Sequence, residues 1–296
     1  MKRWAAAMLS LLLIFCIIPA KGAYLWTEEQ LGQVIPLLIS EELESIPPQQ
    51  RIIPARRQWD EVKGLDKDWM HVLLLSTGSQ NIRDNFGKAD VCVIFSMHMK
   101  TGDFHLISLP WDSLIQAGEL PAPIPLTCVN CFGGPALMIH SLNRALSLNI
   151  SRYCAVNEDA FFQVVAALGG VQIPLLPQEQ QALGYAEDTP WMDETQALEF
   201  VQLPLEGYDR AMRLIAAAYE LFMDDGSLEQ AFDLADQLLP CIDTNLTTTE
   251  LLDMLFCAFS REEAMDFTTR QLPVEKGELL DEAAGRILRA MIYGEE

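Results

Sequence analysis

The sequence predicts a layered α/β (α+β) domain, a central mixed sheet flanked by helices. Three observations predict it. Short apolar runs of strand length cluster between residues 70 and 110. Stretches with helical spacing dominate the second half. Strands followed by helices, with both turn and crossover connections between them, argue for layers packed around one sheet. The 296-residue chain is 50% apolar and 21% charged, so it can bury a core and is not a disordered acidic chain. Its formal net charge of −22 argues against nucleic acid as the main partner.

The N-terminus reads as an export signal. Lys2 and Arg3 precede an uncharged run from Trp4 to Ala20, which Lys21 follows. At 17 residues the run is slightly short of the roughly 20 that span a bilayer, so a cleaved signal and an uncleaved anchor both fit residues 1–23. The body of the protein is therefore expected outside the cytoplasm, secreted or membrane-anchored. Residues 24–69 read as a polar, proline-bearing extension with a short helix near 27–45, interrupted by Pro47-Pro48.

HVLLLS (71–76), DVCVIFSM (90–97) and DFHLISL (103–109) read as strands, the last two joined by a turn at Lys100-Thr101-Gly102-Asp103. A helix is expected over 134–147, after Gly133-Gly134-Pro135. SRYCAV (151–156) reads as a strand, and Glu158 to Leu168 as a helix closed by Gly169-Gly170. VQIPLL is a short strand or edge, limited by Pro174. Further helices are placed near 193–201, 207–223, 227–239, 248–259 and 278–292, with a late strand in AMDFTTRQL. Thr247 with Glu250, and Ser260 with Glu263, have capping-box spacing.

Cys92, Cys128, Cys131, Cys154, Cys241 and Cys257 lie beyond the signal, mostly in apolar contexts, and are expected as buried free thiols. Cys128 and Cys131 form a lone CxxC, which is weak evidence for redox or metal chemistry. His71, His98, His105 and His140 show no ligand spacing.

Four segments, in order, carry a resemblance. They are LLLSTGSQ (73–80), GKADVCVIFSMHMKTGDFHLISLPWDS (87–113), NCFGGPALMIHSLNRALSLNISRYCAVNEDAFFQVVAALGGVQIPL (130–175), and QALEFVQ with YDRAMR (196–202 and 208–213). Together they resemble the LytR-CpsA-Psr family of cell-envelope polymer transferases. The resemblance covers roughly residues 70–225, and the helical part at 226–296 is compatible with the same domain. It implies an extracytoplasmic protein that moves a wall polymer from a polyprenyl diphosphate carrier to peptidoglycan. Its implied partners are a polyprenyl-phosphate lipid or wall glycan and the membrane surface. Such a site needs arginines to clamp diphosphate oxygens, carboxylates to hold Mg2+, and an apolar slot for the lipid.

The chain departs from the family pattern at its charges. Gly78 and Gln80 stand where the family has Asp-x-Arg, and Lys88-Ala89-Asp90 where it has Arg-Ser-Asp. Pro110-Trp111-Asp112 replaces Pro-Arg-Asp, Pro125-Leu126-Thr127 replaces Lys-Ile-Asn, and Gln202-Leu203-Pro204 replaces Arg-x-Arg. Arg210 and Arg213 survive from the last motif, but its glutamine is Leu214. The resemblance assigns Arg210, Arg213, Lys88 and Asp112 to phosphate chemistry, Asp90 to a weakened magnesium site, and Phe161, Val165 and Leu168 to a lipid pocket. Each also has a plainer reading. Asp90 serves as a cap or surface charge, and Asp112 as a turn former. Arg210 and Arg213 serve as salt-bridge partners, Lys88 as a loop residue, and the apolar trio as core.

Arginine and lysine are not equivalent at a bidentate phosphate site, and each lost charge-assisted bond costs about 1.5–3 kcal/mol. The retained framework and missing bases predict a divergent member with weak or altered transferase chemistry. The alternative is a non-catalytic binder of prenyl lipid, glycan or envelope protein. Charge is uneven as well. Residues 1–175 carry 16 acids and 13 bases, while residues 176–296 carry 26 acids and 7 bases. The half that has lost its Arg-x-Arg is the acidic half.

Overall fold

Apolar side chains on both faces of consecutive strands require cover on both sides, and this decides the architecture. The structure is a computed structural model. It describes residues 27–40, 43, 46–52, 62–77, 86–156, 165–166, 168–201, 203, 210, 213–214, 216–218, 221, 242–259, 268–275 and 277–294. The apolar run at 4–20 and the helix expected at 227–239 lie outside them, as do Cys241 and the capping box at Ser260. Among the described residues no helix is long and apolar enough to cross a membrane.

The expected strands form β1 (Trp69–Thr77), β2 (Ala89–His98), β3 (Phe104–Ser108) and β6 (Arg152–Val156). Two-residue strands β4 (Leu114–Ile115) and β5 (Ile124–Pro125) pair with each other, as do β7 (Val171–Gln172) and β8 (Trp191–Met192). β9 (Ile242–Thr244) and the expected late strand, β10 (Thr268–Gln271), complete a six-stranded mixed sheet of order β10-β3-β2-β1-β6-β9. β1 is antiparallel to β2 and parallel to β6. VQIPLL thus contributes β7 to a separate two-stranded ladder rather than to the main sheet.

Helices cover both faces. Leu73, Leu75, Cys92, Ile94 and Ile107 pack under α1 (Glu28–Ile39), α2 (Leu126–Leu146) and α6 (Glu282–Tyr293). On the opposite face Val93, Met97, Phe104 and Leu106 pack with Met254 and Cys257 of α5 (Thr248–Phe259). A second core joins β7 and β8 to α4 (Glu194–Val201), Val165, Leu214 and Ala217. α3 (Pro177–Leu183) lies between β7 and β8 in the chain.

Local chemistry sets the helix ends. Thr27 and Gln30 form a capping box at α1, and the expected Thr247–Glu250 box starts α5. Asp281 accepts from Ala283 and Ala284 N–H, so α6 begins at Glu282, four residues later than the sequence suggests. Helical structure in α2 begins at Leu126, before the glycine pair rather than after it, and the chain kinks at Gly133 and Gly134. Gly134 has φ +64°, and a Cβ on Gly133 would lie 2.4 Å from the Ile52 carbonyl oxygen. The Ile52 N–H also donates to Phe132 O (2.6 Å), so the segment before β1 is sewn to the kink. A Cβ on Gly285 would lie 2.6 Å from Leu146 O, which is how closely α6 crosses α2.

His71 links sheet to helix. Its Nδ1 lies 2.8 Å from Ser96 Oγ and its Nε2 2.9 Å from Tyr293 Oη. Burial pushes the ring down to about 4, so it is neutral when folded.

Three outcomes follow from this packing. Gly133→Ala forces backbone apart and is expected to cost about 2–4 kcal/mol by urea unfolding. Gly32→Ala, a helix position with nothing within 4 Å, is expected to gain about 0.5–1 kcal/mol. As pH falls from about 6.5 to about 4 the unfolded chain takes up a proton that folded His71 refuses. Stability is therefore full above that window and falls through it by up to about 3 kcal/mol. A melting-temperature series against pH reads this, and His71→Gln flattens that limb.

Candidate functional site

Strand direction gathers one set of candidates at one edge of the sheet. The ends of β1, β6, β3 and β10 meet the starts of β2 and β9 there, through pairs such as Thr77↔Ala89, Ser76↔Val156 and Gln271↔Ser108. Carboxyl ends of parallel strands, where connections diverge, are the usual ligand crevice of open α/β sheets. Lys88 and Asp90 flank the first residue of β2 at this edge. Asp112 follows β3 in a turn in which Ser113 N–H donates to Pro110 O (3.1 Å). Thr127 N–H donates to Trp111 O (2.9 Å) and Leu126 N–H to Ser113 O (2.8 Å), which docks that turn on the start of α2. The Asp90 side chain lies outside the described residues.

The CxxC occupies the same helix start. Cys128 and Cys131 are buried thiols, as is Cys92. Burial pushes the Cys128 thiol up to about 12, against a smaller downward pull from Lys88. A thiol held protonated is a poor nucleophile and a poor metal ligand, so the pair is core. Cys154 and Cys257 are also free thiols.

The second set forms a charge cluster in the second core. Glu179 sits in the first turn of α3 and is 1% exposed, and Arg210 is 7% exposed. Arg213 Nη2 donates to Glu179 Oε1, and Arg210 Nη1 lies 3.9 Å from the same oxygen. Glu179 Oε2 accepts the Leu176 N–H at 2.9 Å. One further nitrogen of each guanidinium turns to backbone. Arg210 Nη2 donates to Leu203 O and Arg213 Nη1 to Pro174 O, both at 2.8 Å. The Arg213 guanidinium also lies over the Phe200 ring, 5.0 Å from its centroid. This geometry matches the plainer reading of the arginines, as salt-bridge partners.

Of the apolar trio, Val165 is fully enclosed with Val171, Met192 and Phe200, Leu168 is half-buried, and Phe161 lies outside the described residues. Gly169 and Gly170 N–H close the helix end onto Ala166 O and Val165 O. The structure thus brings Arg210 and Arg213 together, and sets Lys88, Asp90 and Asp112 on the carboxyl edge. Glu179 was not singled out in the sequence. Pro177 at the first helical position with an acid two residues on is an ordinary helix start, and nothing in that spacing names its distant arginine partners.

Comparison with known proteins places the chain. The model of the LytR_cpsA_psr family matches residues 49–289. The polyisoprenyl-teichoic acid–peptidoglycan teichoic acid transferase TagU of Oceanobacillus iheyensis is 25% identical over 272 residues, covering 86% of this chain and 81% of that protein. The TagU of Bacillus mycoides is 23% identical over 191 residues, and the match spans 62% of this chain and 63% of that relative. Among solved structures, Bacillus subtilis TagV superposes with a TM-score of 0.64 at 15% identity, over 78% of this chain and 98% of that one. TagT with bound octaprenyl pyrophosphate lipid superposes with a TM-score of 0.59 at 18% identity, over 82% and 98%.

Removing the buried carboxylate tests the cluster. Glu179→Gln leaves two guanidiniums without their anion and is expected to cost about 3–5 kcal/mol by urea unfolding. Exposed Glu119→Gln, whose contact with Arg144 is 3.7 Å, should change stability by under about 0.5 kcal/mol.

Proposed function

Because the chain belongs to the LytR-CpsA-Psr family, we propose that it is a divergent extracytoplasmic protein of the bacterial cell envelope, related to transferases that move polyprenyl-diphosphate-linked wall polymers to peptidoglycan, with weak or altered transfer chemistry. The observation that carries the second half of this reading is the engagement of Arg210 and Arg213 by Glu179. Guanidinium N–H groups that donate to an internal carboxylate and to backbone carbonyls are spent on the fold. They serve a diphosphate only if those bonds are exchanged. Family-type bases are also replaced at Gln80, Trp111, Gln202 and Pro204. Interactions that form only in the transition state set the rate, so losing donors lowers turnover more than binding.

The proposed partner is a polyprenyl-phosphate lipid or wall glycan at the membrane surface, the N-terminal apolar segment acting as signal or anchor. Binding of octaprenyl pyrophosphate by TagT supports the lipid class. Lys88 and Asp112 would meet the anionic head at the carboxyl edge. Val165, Leu168 and Phe161 are proposed along the lipid path. Mg2+ takes one or two carboxylates and completes its shell with water and phosphate oxygens. Asp90 fits that role on one side only, because Gly78 stands in the second acidic place. When bound, the ion would neutralise charge on the departing phosphate. The second reading, a non-catalytic binder, is favoured by the same arginine cluster.

The test is titration of octaprenyl diphosphate into the purified full chain with Mg2+, alongside diphosphate hydrolysis. The reading expects binding, with turnover at least about a hundredfold below that of TagU from Oceanobacillus iheyensis assayed in parallel. Asp90→Ala is expected to remove the residual turnover and keep binding. Binding with no turnover in the unmodified protein selects the non-catalytic reading. Turnover equal to TagU, or no lipid binding, contradicts the proposal.

A further inference from the structure

A surface helix is ordinarily held down by an apolar stripe, and α3 is not. Its one buried residue is a charged one, Glu179. Pro177, Gln178, Gln181 and Ala182 are exposed, and Leu183 is half-buried against the second core. Leu176, just before the helix, is 46% exposed. The segment is therefore tied down mainly by a carboxylate, through the Arg213 and Arg210 guanidiniums that converge on Glu179 Oε1. We propose that α3 is an autoinhibitory latch, in which Glu179 occupies the guanidinium pair in place of a ligand phosphate and a polyprenyl diphosphate displaces it. The latch rests on the lipid reading above and adds the regulation of that site.

The energetics of a buried ion pair favour exchange over simple loss. Desolvating Glu179 cancels much of what the guanidiniums return, so the intact pair adds little net stability. Removing the anion alone leaves buried cations uncompensated, which is the costly event. Replacing it by another anion avoids that cost, and the released carboxylate regains its water. A diphosphate brings more acceptor oxygens and more charge than one carboxylate, and planar guanidiniums take phosphate oxygens in pairs. An apolar anchor is indifferent to such a ligand, whereas an ionic anchor competes with it directly.

The surrounding bonds suit a part that moves against a part that stays. Glu179 Oε2 accepts the Leu176 N–H, and Gln180 Nε2 donates to Glu187 O at 3.1 Å, so these bonds lie within the segment itself. Pro174 precedes that segment, and Gly184 closes α3 at φ +75°, a left-handed turn that glycine adopts without strain. The arginines are held from elsewhere. Arg210 Nη2 donates to Leu203 O and Arg213 Nη1 to Pro174 O, and the Phe200 ring lies under the Arg213 guanidinium. These contacts keep both guanidiniums oriented when Glu179 leaves. Val165, on the proposed lipid path, packs in the same cluster as Phe200, which puts the latch beside that path.

The test is amide hydrogen exchange of the full-length protein with octaprenyl diphosphate and, separately, with octaprenol. The diphosphate is expected to speed exchange of the amides of residues 178–185 at least about tenfold, and octaprenol to leave them unchanged. Glu179→Gln, assayed at a temperature where its melting curve shows it folded, is expected to bind octaprenyl diphosphate at least about fivefold more tightly, because no closed state has to be opened first. The exchange measurement needs no variant, so it decides the matter even where Glu179→Gln fails to fold. Diphosphate that binds while exchange at 178–185 stays unchanged or slows overturns the latch and leaves the lipid reading standing. A folded Glu179→Gln protein with unchanged or weaker affinity also overturns the latch, and absence of lipid binding overturns both.

Discussion

A carboxylate that is 1% exposed has given up nearly all its water, and Glu179 recovers that cost from two guanidiniums and a helix N-terminus. This one demand organises the second core. Arg210 ties the cluster to Leu203 and Arg213 ties it to Pro174, so α3, the end of α4 and the helical residues from 210 are pinned to one anion. Phe200 packs beneath the Arg213 guanidinium. Both arginines are thus engaged by Glu179 and by backbone carbonyls within the second core.

The sheet imposes a complementary division. Its carboxyl edge carries Lys88, Asp90 and Asp112 beside the start of α2, whereas its other end carries Asp66, Asp68 and His98. Between them β1 is covered on both faces. The kink at Gly133 and Gly134 holds α2 in register with the Ile52 segment and Phe86, and the close approach of Gly285 to Leu146 O lets α6 seal the same face. His71 joins that seal to the sheet through Ser96 and Tyr293.

Much of this was legible from the chain because the signals were local. HVLLLS, DVCVIFSM and DFHLISL became β1, β2 and β3, since apolar runs of strand length fit a sheet covered on both sides. The Thr247 cap and the late strand at 268–271 follow from short-range spacing and apolar pattern. The start of α2 was not legible, because TCVNC reads as an apolar approach to a glycine turn. Only the fit of Gly133 against Ile52 reveals helix on both sides of the kink. Glu179 was missed because its partner Arg213 is 34 residues distant in the chain, and only packing brings the two together. The candidate residues came from family motifs, and their present partners needed the fold.

The claim at the centre of this account is that Arg213 and Glu179 are spent on each other. A double-mutant cycle in urea, with Glu179→Gln and Arg213→Met singly and together, measures that directly. The account predicts a coupling of at least about 2 kcal/mol, the double variant being less unstable than the sum of its parts. Additive losses, with coupling under about 0.5 kcal/mol, would contradict it and return both arginines to the pool available for a phosphate.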